Sequence, residues 1–141
     1  MSGDLAPDFA TLRLPVERTV VAPDGSDVRV LLGLPRGGMA HFALAAGDVA
    51  GAVMHRTVEE IWFVVAGRGE MWRRQGAREE TVVLEPGVCV TVPLGTAFQF
   101  RASRAEGIAA VAVTMPPWPG ADEAVAVDGP WPPTAAGRVP T

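Results

Sequence analysis

The chain contains no lysine: all twelve of its basic residues are arginine. A Schiff-base lysine is therefore impossible, which excludes pyridoxal phosphate catalysis, and so is the lysine of a P-loop. Tyrosine is also absent, so no phenol can serve as acid or base. Cys89 is the single cysteine, which rules out an intrachain disulfide and a thiolate metal cluster. It lies in the apolar run Val88-Cys89-Val90 and reads as a small buried hydrophobe. His41 and His55 are the only histidines, so one chain cannot build a three-histidine metal site. The net charge of -4 lacks the basic excess that a nucleic-acid partner requires. The opening Met-Ser-Gly-Asp has neither the basic nor the apolar part of a signal peptide. The longest apolar run, Ile61 to Gly67, is too short to span a membrane. These absences predict a cytoplasmic protein with no membrane or nucleic-acid partner, and the Ala/Gly/Pro/Arg-rich composition suggests a GC-rich bacterial genome.

Helix signals are scarce as well. Proline and glycine recur every few residues, and no window sustains a 3.6-residue period. Short β-branched runs bounded by turns take their place, about ten of them at even spacing, the pattern of a sandwich or barrel. Thr19-Val20-Val21 and Val28 to Leu32 flank Pro23-Asp24-Gly25-Ser26, a hairpin signal. Met39 to Ala45, Glu60 to Ala66, Glu70 to Arg73, Glu80 to Leu84, Val88 to Val92, Ala97 to Arg101 and Ile108 to Thr114 follow. In Ile61-Trp62-Phe63-Val64-Val65 both faces are apolar, so both should be covered. One face is expected to line the barrel and the other to meet a second sheet or a second subunit, which points to a homodimer. From Pro116 onward, prolines crowd a tail that also holds Trp118 and Trp131. Such density disfavours helix and ladder pairing, while two tryptophans argue for docking on an apolar surface. The expected layout is an N-terminal extension at 1–18, a barrel at 19–115 and a tail at 116–141. Within the tail, 116–133 should lie against the barrel or a partner, and 134–141 should be loose.

Two stretches carry the chemistry. In the first, Gly47, His55, Glu60 and Gly67 are spaced as glycine, five residues, His-x-His, four residues, glutamate, six residues, glycine. In the second, Gly87, Pro93 and Gly95 are spaced as glycine, five residues, Pro-x-Gly. Here the chain resembles the cupin superfamily, directly over 47–102 and by strand count over about 19–115. The resemblance implies an all-β fold, the double-stranded β-helix or cupin jelly-roll barrel. It also implies departures. Cupins typically bind a metal through two motif-one histidines, the glutamate and a motif-two histidine, but the first histidine position is Val53 and the motif-two position is Phe98. Two of four ligands remain.

The family register points Val53, His55, Glu60, Trp62 and Phe98 inward, and Phe100 should share the face of Phe98. The implied site is an apolar, aromatic-walled cavity with few polar groups, the usual composition of a small-molecule pocket. Arg101 follows the motif-two strand and is a candidate for the barrel mouth. His55 and Glu60 are the candidate catalytic pair, with Glu60 orienting His55 and His55 acting as acid or base. A carboxylate beside an imidazole is expected to favour the imidazolium. The leading expectation is a metal-independent enzyme of secondary metabolism, such as an isomerase or cyclase, acting without a cofactor on an apolar or aromatic small molecule. One alternative is a non-catalytic module that holds a small ligand in the same pocket. Another is a metal-dependent enzyme in which His41 joins His55 and Glu60 as ligands, with a weakly held divalent ion as its mildest form.

Overall fold

The computed structural model describes residues 7–134. Eleven strands run in chain order: β1 Val20–Val21, β2 Asp27–Leu34, β3 Gly37–Leu44, β4 Val53–His55, β5 Glu59–Gly67, β6 Gly69–Gln75, β7 Arg78–Leu84, β8 Cys89–Val92, β9 Ala97–Ala102, β10 Ile108–Met115 and β11 Ala124–Ala126. They form a six-stranded sheet in the order β1-β2-β3-β10-β5-β8 and a five-stranded sheet in the order β11-β4-β9-β6-β7. Every strand pairing is antiparallel. The two sheets face each other as a jelly-roll barrel, the double-stranded β-helix implied by the motif spacings.

Alternation along β5 shows how sequence sets the faces. Trp62 and Val64 are buried between the sheets, while Ile61, Phe63 and Val65 are 42–46% exposed on the outside. The core is aromatic at its centre and aliphatic at its ends, from Phe98 and Phe100 through Trp62 to Leu44, Leu84 and Ile108. The same alternation overturns the reading of Cys89. Val90 and Val92 take the inward positions, so Cys89 lies opposite Phe63 on the exposed outer face.

The tail departs from the expected absence of ladder pairing. The stretch between Pro119 and Pro130 is free of proline. It forms a short 3-10 helix at Ala121–Glu123 and then β11, which pairs with β4. Beyond it, Val127 and Trp131 pack on Ala52, Trp72 and Ala97 and cover the outer face of the smaller sheet. Buried Gln99 fastens this segment: its Nε2 donates to the Ala50 and Trp131 carbonyls, and its Oε1 accepts from the Trp131 amide. Thr134 is bonded to Val49 through both its amide and its hydroxyl; the rest of the end expected to be loose, 135–141, lies outside the described residues.

Gly67 shows what one motif glycine does. Its φ is +79°, and a methyl placed on it would strike the Gly107 carbonyl. Gly76 has φ +58° but nothing within 4 Å of the same position. Gly76→Ala should therefore cost only the roughly 1–2 kcal/mol of a left-handed L-residue, and Gly67→Ala clearly more. Equal losses in chemical denaturation would contradict this account.

Candidate functional site

His55 ends β4 and Glu60 lies near the start of β5, so the corner 56–58 fixes their relation. Buried Glu123 holds that corner. Its carboxylate accepts from the Thr57 amide at 2.5 Å, the Thr57 hydroxyl at 2.7 Å and the Val58 amide at 2.8 Å. Arg56 adds bonds from its amide to the Glu123 carbonyl and from Nε to the Asp122 carbonyl. β4 itself is paired on both edges, by β9 and by β11. A three-residue strand would otherwise be a weak platform for a functional side chain.

Both members of the pair are buried, His55 to 6% exposure and Glu60 to 3%. Trp62 Nε1 donates to Glu60 Oε1 at 2.7 Å. The other oxygen, Oε2, is 3.7 Å from His55 Nδ1, too far for a hydrogen bond. His55 Nδ1 has no hydrogen-bond partner among the described residues. The imidazole is held edge-on between Phe98, at 5.2 Å between centroids, and Trp118, at 5.0 Å. Behind them Trp62 stacks on Phe42 and meets Phe98 and Phe100 edge-on. Val53 is buried beside Phe98, its cross-strand partner.

The structure thus brings Val53, His55, Glu60, Trp62, Phe98 and Phe100 together inside the barrel. Two expected members are elsewhere. His41 pairs with Arg29 and Val111 on the outer face of the larger sheet, because its neighbour Phe42 takes the inward position against Trp62. Arg101 also points outward, bonded to Glu70 at 2.6 and 3.0 Å with its guanidinium 4.0 Å over the Trp131 ring. The rings lie against one another, with Phe42 stacked on Trp62 and Phe98 and Phe100 edge-on to it. Neither of the two described cavities touches the pair. One of about 160 Å³ lies among Arg73, Arg74 and Arg78, and one of about 360 Å³ lies under Val127–Pro133.

The donor set does not fit the family's metal. Val53 and Phe98 put hydrocarbon where two ligands belong, and His41 is on the opposite face of its strand. No group of three or more His, Cys, Asp or Glu residues among the described ones is placed to hold an ion. Only His55 and Glu60 remain, and Glu60 already shares one oxygen with Trp62.

Burial governs the electrostatics of the pair. It pushes the Glu60 carboxyl up to about 7, against the pull of the Trp62 N–H and helped by the nearby Asp24 carboxylate. It draws His55 below its ordinary value, although Glu123 and the Val58 backbone act the other way. The expected imidazolium is thus reversed: desolvation favours a neutral imidazole facing a protonated acid. Asp24 is raised too, by burial working against its bonds from the Ser26 amide and hydroxyl. Burial raises Glu123 as well, but the Thr57 and Val58 donors and His55 outweigh it and leave its carboxyl below the ordinary range. Asp24, Trp118 and Glu123 escaped the motif reading. Trp118 announced itself as a docking residue, but nothing in the sequence named its target.

The raised Glu60 has a measurable consequence. Below about pH 4.5 the acid is protonated in folded and unfolded chains alike and costs nothing; between there and about 7 the unfolded chain alone ionises, so folded stability falls as pH rises. Glu60→Gln keeps an acceptor for Trp62 and removes the charge. The variant should gain stability over the parent as pH rises through that window, reaching on the order of 3 kcal/mol by pH 8. Melting curves at pH 4.5 and pH 8 with the same difference would refute this.

Comparison with known proteins agrees with this geometry. The sequence profile of the cupin domain matches residues 40–114. No curated protein matches the sequence. Solved structures share the fold at low identity. Coconut allergen cocosin has a TM-score of 0.64 at 19% identity over 76% of this chain and 30% of its own. KdgF from Halomonas sp. has 0.60 at 21% over 71% of this chain and 87% of its own. The capsular polysaccharide assembling protein CapF from Staphylococcus aureus has 0.66 at 15% over 84% of this chain and 35% of its own. This chain thus spans about a third of the length of cocosin and CapF. With its motif spacings, two facing sheets and profile match in agreement, the chain belongs to the cupin family.

Proposed function

We propose that this cupin is a metal-independent enzyme that binds an apolar or aromatic small molecule and moves a proton within it, as an isomerase or cyclase does. The observation that carries the reading is the buried His55 Nδ1, unpartnered and 3.7 Å from Glu60 Oε2. A buried polar atom left without a partner is uncommon and costly. Here it faces a carboxyl whose proton is held to about pH 7. A neutral imidazole is the base and a protonated acid beside it is the donor, a division of roles set by environment. His55 Nδ1 takes a proton from carbon next to a carbonyl, Glu60 delivers one elsewhere on the same molecule, and passage of the proton from His55 to Glu60 resets the pair. No electrons leave the substrate, so no redox partner is required. A solved structure of CapF, which shares the fold, is of its complex with an inhibitor, 3-isopropenyl-tropolone.

A second reading has its own support. The apolar ring cluster of Phe42, Trp62, Phe98 and Phe100 lies beside the pair, a surrounding that suits a module that only holds a ligand. The two differ in turnover. Against carbonyl-bearing aromatic compounds, the enzyme should consume a substrate without added cofactor and in the presence of a chelator. Its rate should fall as pH rises through about 7, where Glu60 loses its proton. His55→Ala should lower kcat by at least about 100-fold. Ligand affinity untouched by His55→Ala, with no compound ever consumed, would give the protein to the binding reading.

The working form is proposed to be a homodimer. Met39, Ile61, Phe63 and Val65 expose 42–46% of their surface on the outer face of the larger sheet. Arg29, on the same face, donates to the Pro15 and Val16 carbonyls. It thereby holds beside that face an arm on which Phe9 and Val16 are 99% and 86% exposed. Contiguous apolar surface of this kind marks an interface. Phe63→Arg should convert the dimer to monomer in light scattering, and a parent chain that is already monomeric would end the proposal.

A further inference from the structure

The segment joining the two sheets at the His55 end of the barrel is pinned at both ends and free between them. On one side Met115 closes β10 against Glu59. On the other Glu123 is tied to Thr57 and Val58, and Arg56 to Asp122. Between these anchors lie Pro116-Pro117-Trp118-Pro119. Its three prolines have no amide hydrogen to donate, and among the described residues no hydrogen bond joins 116–119 to the barrel. A stretch with few hydrogen bonds between firm anchors is where local opening costs least.

The side chain at its centre is the one that covers His55. Trp118 meets the imidazole edge-on at 5.0 Å. It is 38% exposed, whereas His55 and Phe98 beside it are 6% and 2%. Two other indoles are held by their N–H, Trp62 on Glu60 and Trp72 on Glu79. The indole nitrogen of Trp118 has no such partner among the described residues. Among the described residues Trp118 is therefore held by ring contact alone, at a partly exposed edge of the aromatic cluster.

We infer that Trp118 is a removable stopper and that the molecule replacing it is a planar hydroxyarene, its ring taking the place of the indole and its hydroxyl joining His55 Nδ1 to Glu60 Oε2. This rests on the acid–base reading of the pair and names both the entrance and the ligand class. The 3.7 Å gap that is too wide for a direct hydrogen bond lets one oxygen lie about 2.8 Å from each atom. The arene O–H donates to Nδ1, and its oxygen accepts from the Glu60 carboxyl. A second aromatic ring rather than an aliphatic chain fits because the indole leaves an edge-on position against the imidazole and Phe98. A stopper lowers apparent affinity by the fraction of time it is seated. Removing it must therefore tighten binding, which a wall residue that makes favourable contact with the ligand would not do.

Naphthol is the probe, titrated calorimetrically into the parent, Trp118→Ala, Trp118→Phe and Glu60→Met proteins. Trp118→Ala should bind at least tenfold tighter than the parent, Trp118→Phe about as the parent does, and Glu60→Met, which has no donor to offer the arene oxygen, at least tenfold weaker. Modification of histidine by diethylpyrocarbonate supplies a ligand-free readout. Trp118→Ala should speed reaction of His55 at least tenfold, while His41, on the outer face, keeps its rate and so reports an intact fold. If His41 also speeds up, Trp118→Leu takes the place of the alanine variant. Naphthol affinity that drops with Glu60→Met but is unchanged by Trp118→Ala overturns the stopper and leaves the proposed function standing. Affinity that rises with Trp118→Ala but ignores Glu60→Met overturns the hydroxyl bridge together with the reading beneath it. An unchanged His55 rate overturns the stopper outright.

Discussion

The bond from Trp62 Nε1 to Glu60 Oε1 joins the two halves of this protein's interior. One partner is the largest fully buried side chain of the core, stacked on Phe42 and crossed by Phe98 and Phe100. The other is the acid that faces His55. Because Trp62 claims Oε1, only Oε2 is turned toward the imidazole. Any repacking that shifts the indole also moves the carboxyl, so hydrophobic core and polar pair are one unit. A bond to a buried, ionisable acceptor is among the stronger ones in a fold, and losing it would leave a buried donor unmatched.

The pair is held from outside the barrel as well. The triple acceptance by Glu123 closes the corner between β4 and β5, and it does so from a segment that follows the last barrel strand in sequence. The tail is thus part of the site's foundation. Its successive fastenings, at the corner, along β4, at Gln99 and at Val49, replace the core burial that so proline-rich a sequence cannot supply by helix or long strand.

How much of this was legible in the sequence varies by residue. Gly67 and Gly47 had left-handed turns to make, and the motif spacing announced them. The alternation of Ile61 to Val65 gave the two faces of β5, because side chains at spacing two must separate. Alternation alone leaves which face is inside undecided in a strand like Gly37–Leu44, where His41 and Phe42 both qualify. There the larger ring, with Trp62 to stack on, took the interior. Cys89 was misread for a related reason: an apolar neighbourhood in sequence says little about side when every neighbour is apolar. Glu123 was invisible because its partners, Thr57 and Val58, come to it only through folding; Asp24 was legible as a turn residue with Ser26 two positions on, but nothing local announced its burial. The charge state of the pair was inferred from proximity when burial was the larger effect.

The two outer faces of the barrel are not alike. Over the smaller sheet the chain has spent its own tail, with Trp131 and Val127 laid on Trp72 and Ala97. Over the larger sheet nothing of the described chain lies across Ile61, Phe63 and Val65. Growth of an open fibre needs two different sticky surfaces on each molecule, so that every addition exposes a fresh one. Of the two sheet faces, the outer face of the larger one is thus the one left to a partner. A second copy docking there face to face, about a two-fold axis, would consume the surface that drove it, and such an association would stop at two.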